Sequence, residues 1–169
     1  HALIGLLDEE RLRYIGAIVL GLNDALVELT GGLAGLTLAL QHTRLIALSG
    51  LIVGVAAALS MGASAYLSAK ADAADKQPLR ASLYTSTAYL LTVLLLIAPY
   101  LLLHNPYVCL VLTLGIAIAI IAAFNYYVAV ARDASFRRQF VEMAGISLGV
   151  AALSFGVGFA LRSLLGVEI

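Results

Sequence analysis

GLNDALVELTGG, residues Gly21 to Gly32, sits inside a long apolar run yet carries Asn23, Asp24 and Glu28. Sequence that faces lipid should hold no such groups. The rest of the chain decides whether the run crosses a membrane. The chain has 169 residues, 62% of them hydrophobic and 12% charged. A soluble domain carries about 25% charged residues. Half that share, with a mean hydropathy of +1.01, predicts a membrane protein.

Five apolar segments follow one another, near residues 16–40, 45–69, 82–103, 107–131 and 140–164. Each exceeds the roughly 20 residues that cross a 30 Å hydrocarbon core at 1.5 Å per residue. A spanning segment must satisfy its own backbone polar groups, and no period-two alternation is present. The expectation is an all-α, multi-pass membrane protein: one domain over residues 1–169 with five transmembrane helices. Gln41–Arg44 and His104–Pro106 read as tight turns, and Lys70–Ala81 as a short charged link containing Pro78. No internal repeat stands out. The first apolar run is too long for a signal peptide and lacks a small-residue cleavage site. The chain opens on His1 rather than Met, which fits a processed chain or an excised fragment.

Orientation follows from the basic residues. A cytosolic N-terminus puts Arg11, Arg13, Lys70, Lys76, Arg80, Arg132, Arg137 and Arg138 in the cytosol, against Arg44 and Arg162 outside. Tyr14, Tyr66, Tyr84, Tyr126 and Tyr127 then fall near cytosolic ends, and Tyr100 and Tyr107 near outer ends, as interfacial anchors. Small residues recur every four positions: Gly31 and Gly35; Gly50, Gly54, Ala58 and Gly62; Gly145 and Gly149. Such stripes let helix backbones approach in lipid. They predict close packing of helices 1, 2 and 5, within one chain or across a dimer seam.

Zero formal net charge leaves no basic footprint for nucleic acid. The lone Cys109 excludes an internal disulfide and any CxxC site, and reads as a small buried residue. No P-loop, GxSxG or HExxH is present, so nothing points to ATP hydrolysis or covalent catalysis and the chain does not read as an enzyme.

Asp24 and Glu28 are four apart and share one helix face. Counted from Gly16, they lie roughly 12 and 18 Å deep. Two ionised acids there would cost roughly 5–7 kcal/mol if unpaired. No intramembrane Lys or Arg pairs them. They must be protonated, bound to a cation, or facing a wet cavity; a protonated pair bonded to a neighbouring helix is the purely structural alternative. Asn23 reads equally as an interhelical hydrogen-bond donor or a ligand. Helix 2 runs antiparallel, which puts Met61 roughly 12 Å deep, level with Asp24. Oxygen ligands alone suit Mg²⁺ or Ca²⁺, and an added thioether shifts preference toward a transition metal such as Fe²⁺. Ordinary packing is the commoner use of such a methionine. Low dielectric favours the neutral carboxyl group, so an acid that holds either a proton or a metal can exchange one for the other. His42 and His104, in the outer turns, read as interfacial residues within reach of a departing ion. Asp72 and Asp75 read as a solvated charged turn, and Arg138–Glu142 as an interfacial ion pair.

These residues resemble a known family. GLNDALV (Gly21–Val27) is similar to the GLNDGLV signature of the vacuolar iron transporter family, and LSMGASAYLS (Leu59–Ser68) to its LSMAAGEYVS. The five-helix count and short outer turns agree. The stretch from Glu28 to Gly50 resembles the prokaryotic branch, some members of which carry a ferritin-like, rubrerythrin-type domain before the membrane domain. The resemblance implies a homodimer in a prokaryotic cell membrane that exports Fe²⁺, and often Mn²⁺, from the cytosol against protons. It implies no permanently bound cofactor. It places the ion path at the dimer interface and the ligands on Asp24 and Met61, with Glu28 as a branch feature and Asn23 and Ser64 in support. Two departures matter. The family has a glutamate where this chain has Ala65, four residues after Met61, which leaves open a variant with altered uptake or an engineered chain stripped of one ligand. Plant and yeast-like members also have a longer acidic extension after helix 2, reduced here to Lys70–Ala81. A reading of another class is a membrane anchor and dimerisation module for a soluble metal-oxidising domain. A third is a proton path without metal.

Overall fold

The structure is a computed structural model. It describes residues 2–72, 77–132 and 135–166, with side chains described at residue 15, at residues 18–19, and from residue 21 onward within those ranges except at 131 and 132. The described chain is helical throughout: α1 (Ala2–Leu40), α2 (Thr43–Ala71), α3 (Pro78–Leu102), α4 (Pro106–Arg132) and α5 (Phe136–Leu165). Among the described residues, α2, α3, α5 and the Pro106–Val130 part of α4 are long and apolar enough to cross a membrane. The all-α membrane fold expected from hydropathy is therefore observed.

Helix limits differ from the apolar segments in a consistent way. α1 begins at Ala2 rather than Gly16, and α5 at Phe136 rather than Phe140. Hydropathy marks the part of a helix that sits in hydrocarbon. The backbone ladder continues past that limit wherever good helix formers follow, as Leu6–Arg13 do. Proline sets two of the starts. Pro78 lies in the first turn of α3, and Pro106 opens α4, where a missing N–H costs nothing. Asn105, just before Pro106, accepts from the backbone N–H groups of Tyr107 (3.0 Å) and Val108 (3.4 Å), satisfying donors that the first helical turn leaves free. Between α1 and α2 the chain turns within Gln41 and His42. Gln41 takes φ +54°, and its amide donates to the Tyr107 hydroxyl at 3.1 Å, tying the two turns at this end together.

α1 is the central element and touches all four other helices, most extensively α5. α2 and α3 form the other close pair. Both pairs depend on glycine. A Cβ on Gly35 would lie 2.9 Å from the Ser154 carbonyl oxygen, and one on Gly158 would lie 2.5 Å from the Gly35 carbonyl oxygen. On α2, a Cβ at Gly54 would lie 2.5 Å from Val93 and one at Gly62 would overlap Ser86. Ser82 and Ser86 donate to the carbonyls of Gly62 (2.7 Å) and Ala58 (3.1 Å). Small residues thus join α1 to α5 and α2 to α3, as expected of such stripes in lipid. The third stripe behaves differently. Nothing lies within 4 Å of a Cβ at Gly145 or Gly149, so that face of α5 does not join the protomer's own packing.

The core is one cluster running from Ala25, Leu26, Leu29 and Leu33 of α1 through Ile46 of α2 and Val93, Leu96 and Ile97 of α3 to Ile121 of α4. Cys109 is buried in it, as expected, and its Sγ donates to the Pro99 carbonyl at 3.3 Å. Tyr100 corrects an expectation. It is fully buried, and its hydroxyl shares a 2.7 Å hydrogen bond with Thr37, so it is an interior residue rather than an interfacial anchor. A buried tyrosine needs a partner for its hydroxyl, and Thr37 supplies it. Tyr84, Tyr107, Tyr126 and Tyr127 are exposed, and Tyr66 is half-buried. The side chains of Arg11, Arg13, Tyr14, Asp75, Lys76 and Arg132 lie outside those described.

Candidate functional site

The Asn23–Asp24–Glu28 segment sits where α1 is surrounded. Ala25, Leu26, Leu29 and Thr30 are buried among the neighbouring helices. The polar residues between them divide over two sides of α1.

On one side, Asp24 is half-buried and lies one helical turn before Glu28 on the same face of α1. Tyr89 of α3 completes the group. It is 1% exposed, and its hydroxyl donates to Glu28 Oε2 at 3.0 Å. Sequence reading missed Tyr89. A signal was present: a tyrosine 11 residues past Pro78 lies roughly 16 Å along α3, too deep for an interfacial belt. Glu28 remains exposed at the protomer surface, and Gly32, one turn on, is exposed with open space beside it. Asp24, Glu28 and Gly32 therefore mark an uncovered strip of α1.

Met61 of α2 is half-buried and packs against the core cluster that contains Ala25, Leu26 and Leu29. Ser64 is exposed and Ala65 half-buried on the same helix. The structure thus brings Asp24 and Glu28 together with Tyr89, and sets Met61 on the same cluster. Among the described residues, no three His, Cys, Asp or Glu side chains converge as a metal cluster. Ala65 offers no third carboxylate, as the sequence implies.

On the other side of α1, Asn23 faces α4 and α5. It lines a cavity of about 360 Å³ with Asn125, Gln139, Glu142 and Met143, the other described lining residues being apolar. Glu142 does not form the expected ion pair. The described residues show no Arg138–Glu142 contact; Arg137 and Arg138 are exposed in a separate shallow pocket that Glu142 also borders. Both arginines start α5 and reach toward water, where solvation competes with pairing. His42 and His104, at opposite turns in sequence, share a pocket of about 340 Å³ with Gln41 and Arg44. Asp72 caps the end of α2, its N–H donating to the Ser68 carbonyl at 3.2 Å.

Residues 15–76 match the VIT family. The match covers α1 from Ile15 and all of α2, and so includes Asp24, Glu28 and Met61. The match spans 62 of the 169 residues and is a similarity to that family over the first two helices. A search of curated proteins found no match.

Proposed function

We propose that the protein exports a divalent transition metal, Fe²⁺ or Mn²⁺, from the cytosol in exchange for protons. The observation that carries this reading is the Asp24–Glu28 pair: two acids one turn apart on one face of an apolar helix, with Tyr89 donating to one of them. A pair that holds a shared proton releases it when a dication enters, because the metal takes the same oxygen lone pairs. Met61 adds a thioether on the adjacent helix, which favours a transition metal over Mg²⁺ or Ca²⁺. The VIT match over this segment supports metal as the cargo.

One protomer offers two carboxylates and one thioether, few ligands for a dication. The uncovered strip at Glu28 and Gly32 suits a second copy. A homodimer related by a two-fold axis there would bring two Asp24–Glu28 pairs to one layer, making the ion path a shared one. The excess of Lys and Arg on the α2–α3 and α4–α5 links favours a cytosolic N-terminus in the cell membrane.

The test is flux. The purified chain, reconstituted in liposomes loaded with a metal-sensitive dye, is expected to admit Fe²⁺ or Mn²⁺ faster when a proton gradient opposes the metal flow. Ala65→Glu, which restores the family's carboxylate, is expected to raise the rate. Absence of influx in both chains, with and without a gradient, would remove the transport reading.

A further inference from the structure

The end of the bundle that carries the α1–α2 and α3–α4 turns holds a side-chain cluster that the transport site does not use. His42, Arg44 and His104 line one pocket of about 340 Å³ with Gln41, Thr43 and Leu45, a volume in the range of small-ligand sites. Two turns distant in sequence build it. The Gln41 amide donates to the Tyr107 hydroxyl at 3.1 Å. The Asn105 side chain accepts from the N–H groups of Tyr107 and Val108. These bonds tie the start of α4 to the α1–α2 turn, and so keep His104 in the same pocket as His42 and Arg44.

The pocket is rich in donors. Arg44 is exposed and makes no hydrogen bond or ion pair among the described residues. Its guanidinium fork matches the paired oxygens of a phosphate. His42 and His104 are exposed too, and an imidazole offers an N–H donor whether neutral or charged. α2 starts here as well. His42 is its N-cap and supplies no side-chain cap, so N–H groups of the first turn add to the donors that an anion can use. Among the described lining residues none is Asp or Glu. The fixed charge of Arg44 opposes a metal ion at the two imidazoles and attracts an anion.

The surface beside the pocket selects the source of that anion. Leu45 lines the pocket and begins a row with Leu48 and Ile52 on one face of α2, all three exposed. α2 is long and apolar enough to cross a membrane, so the row runs from the turn toward the middle of the bilayer. Leu101 and Leu102, just before His104, are exposed as well. A free phosphate gains nothing from such a row, whereas an acyl chain lies along it. We infer that this pocket binds the headgroup of an anionic phospholipid, with Arg44, His42 and His104 on the phosphodiester and an acyl chain along Leu45, Leu48 and Ile52. Basic pockets between membrane helices take anionic headgroups in this way. The inference uses other residues than the proposed transport site and stands apart from it.

The test is native mass spectrometry of the purified chain released from detergent, titrated with phosphatidylglycerol or phosphatidylcholine, with and without inorganic phosphate as competitor. The expected result is tight retention of phosphatidylglycerol, weaker retention of phosphatidylcholine, and no displacement by equimolar phosphate. Arg44→Gln is expected to weaken phosphatidylglycerol binding about tenfold or more, the effect of losing a hydrogen bond to a charged group. The double variant His42→Gln/His104→Gln is expected to weaken it as well. All three side chains are exposed, so either variant carries the test if the other does not fold. Arg162→Gln removes the same charge one turn past Gly158, at the same end of the bundle but outside the pocket, and is expected to leave binding unchanged. No retention by the unmodified chain, equal affinity in Arg44→Gln, or an equal loss in Arg162→Gln would overturn the assignment. Displacement by equimolar phosphate would assign the pocket to a free anion instead. Mn²⁺ binding that the double histidine variant removes, with lipid affinity untouched, would assign the imidazoles to metal and overturn it too.

Discussion

Replacing Gly158 by alanine tests the central helix pair. The new Cβ would lie 2.5 Å from the Gly35 carbonyl oxygen and 3.1 Å from its Cα and carbonyl carbon. All three are backbone atoms, so no side chain can swing away. Relief requires α1 and α5 to part by about 0.9 Å, the difference between 2.5 Å and an ordinary 3.4 Å contact. Overpacking of this kind costs about 1–3 kcal/mol. Alanine also favours helix over glycine by about 1 kcal/mol in water, which would obscure the effect in a single variant. Gly149→Ala on the same helix removes that ambiguity. Its Cβ meets nothing within 4 Å, so it shows the propensity change alone. Subtracting one variant from the other leaves about 1–3 kcal/mol, or roughly 2–12 °C in the unfolding midpoint for a chain of this length. Thermal unfolding in detergent followed by circular dichroism measures it. Equal midpoints for the two variants would refute the glycine-mediated α1–α5 contact.

Other outcomes follow from the same packing. Tyr89→Phe removes the donor to Glu28 and leaves the ring; the expected loss is about 0.6 kcal/mol and at most about 1.7 kcal/mol, the average and the largest value for hydrogen bonds between membrane helices, together with a slower metal flux. Unchanged flux and stability would show that Tyr89 does not hold Glu28. Thr37→Val strands the buried Tyr100 hydroxyl and is expected to cost about 1–3 kcal/mol by chemical unfolding, whereas pairing it with Tyr100→Phe recovers most of the loss.

Hydropathy made the membrane class and the five helical segments legible, because the bilayer imposes a minimum apolar length. It could not reveal the overhang of α1 to Ala2, since residues outside hydrocarbon obey helix propensity instead. The four-residue glycine spacing correctly marked α1, α2 and α5 as close-packing helices, but on α5 it pointed to glycines that do not make the contact. Gly145 and Gly149 carry the same spacing as Gly31 and Gly35, yet the contact to α1 is made by Gly158, which lies in no such pair. Spacing reports that a helix has a small-residue face; which neighbour covers that face depends on tertiary arrangement. The carboxylate pair could be read from its i, i+4 spacing. Tyr89 could not, because its link to Glu28 spans 61 positions and arises from the crossing of α1 and α3. Likewise, the i, i+4 rule that paired Arg138 with Glu142 gives way where Glu142 borders a cavity and the arginine faces water.

The central claim is that the Asp24–Glu28 pair carries a metal ion through the protein. Influx of Fe²⁺ or Mn²⁺ into dye-loaded proteoliposomes, compared between the unmodified chain and Asp24→Asn at equal protein density, tests it most directly. Asparagine keeps the size but removes the charge and the exchangeable proton. The account predicts proton-gradient-dependent influx in the unmodified chain and background rates in Asp24→Asn. Equal rates in the two chains would contradict it.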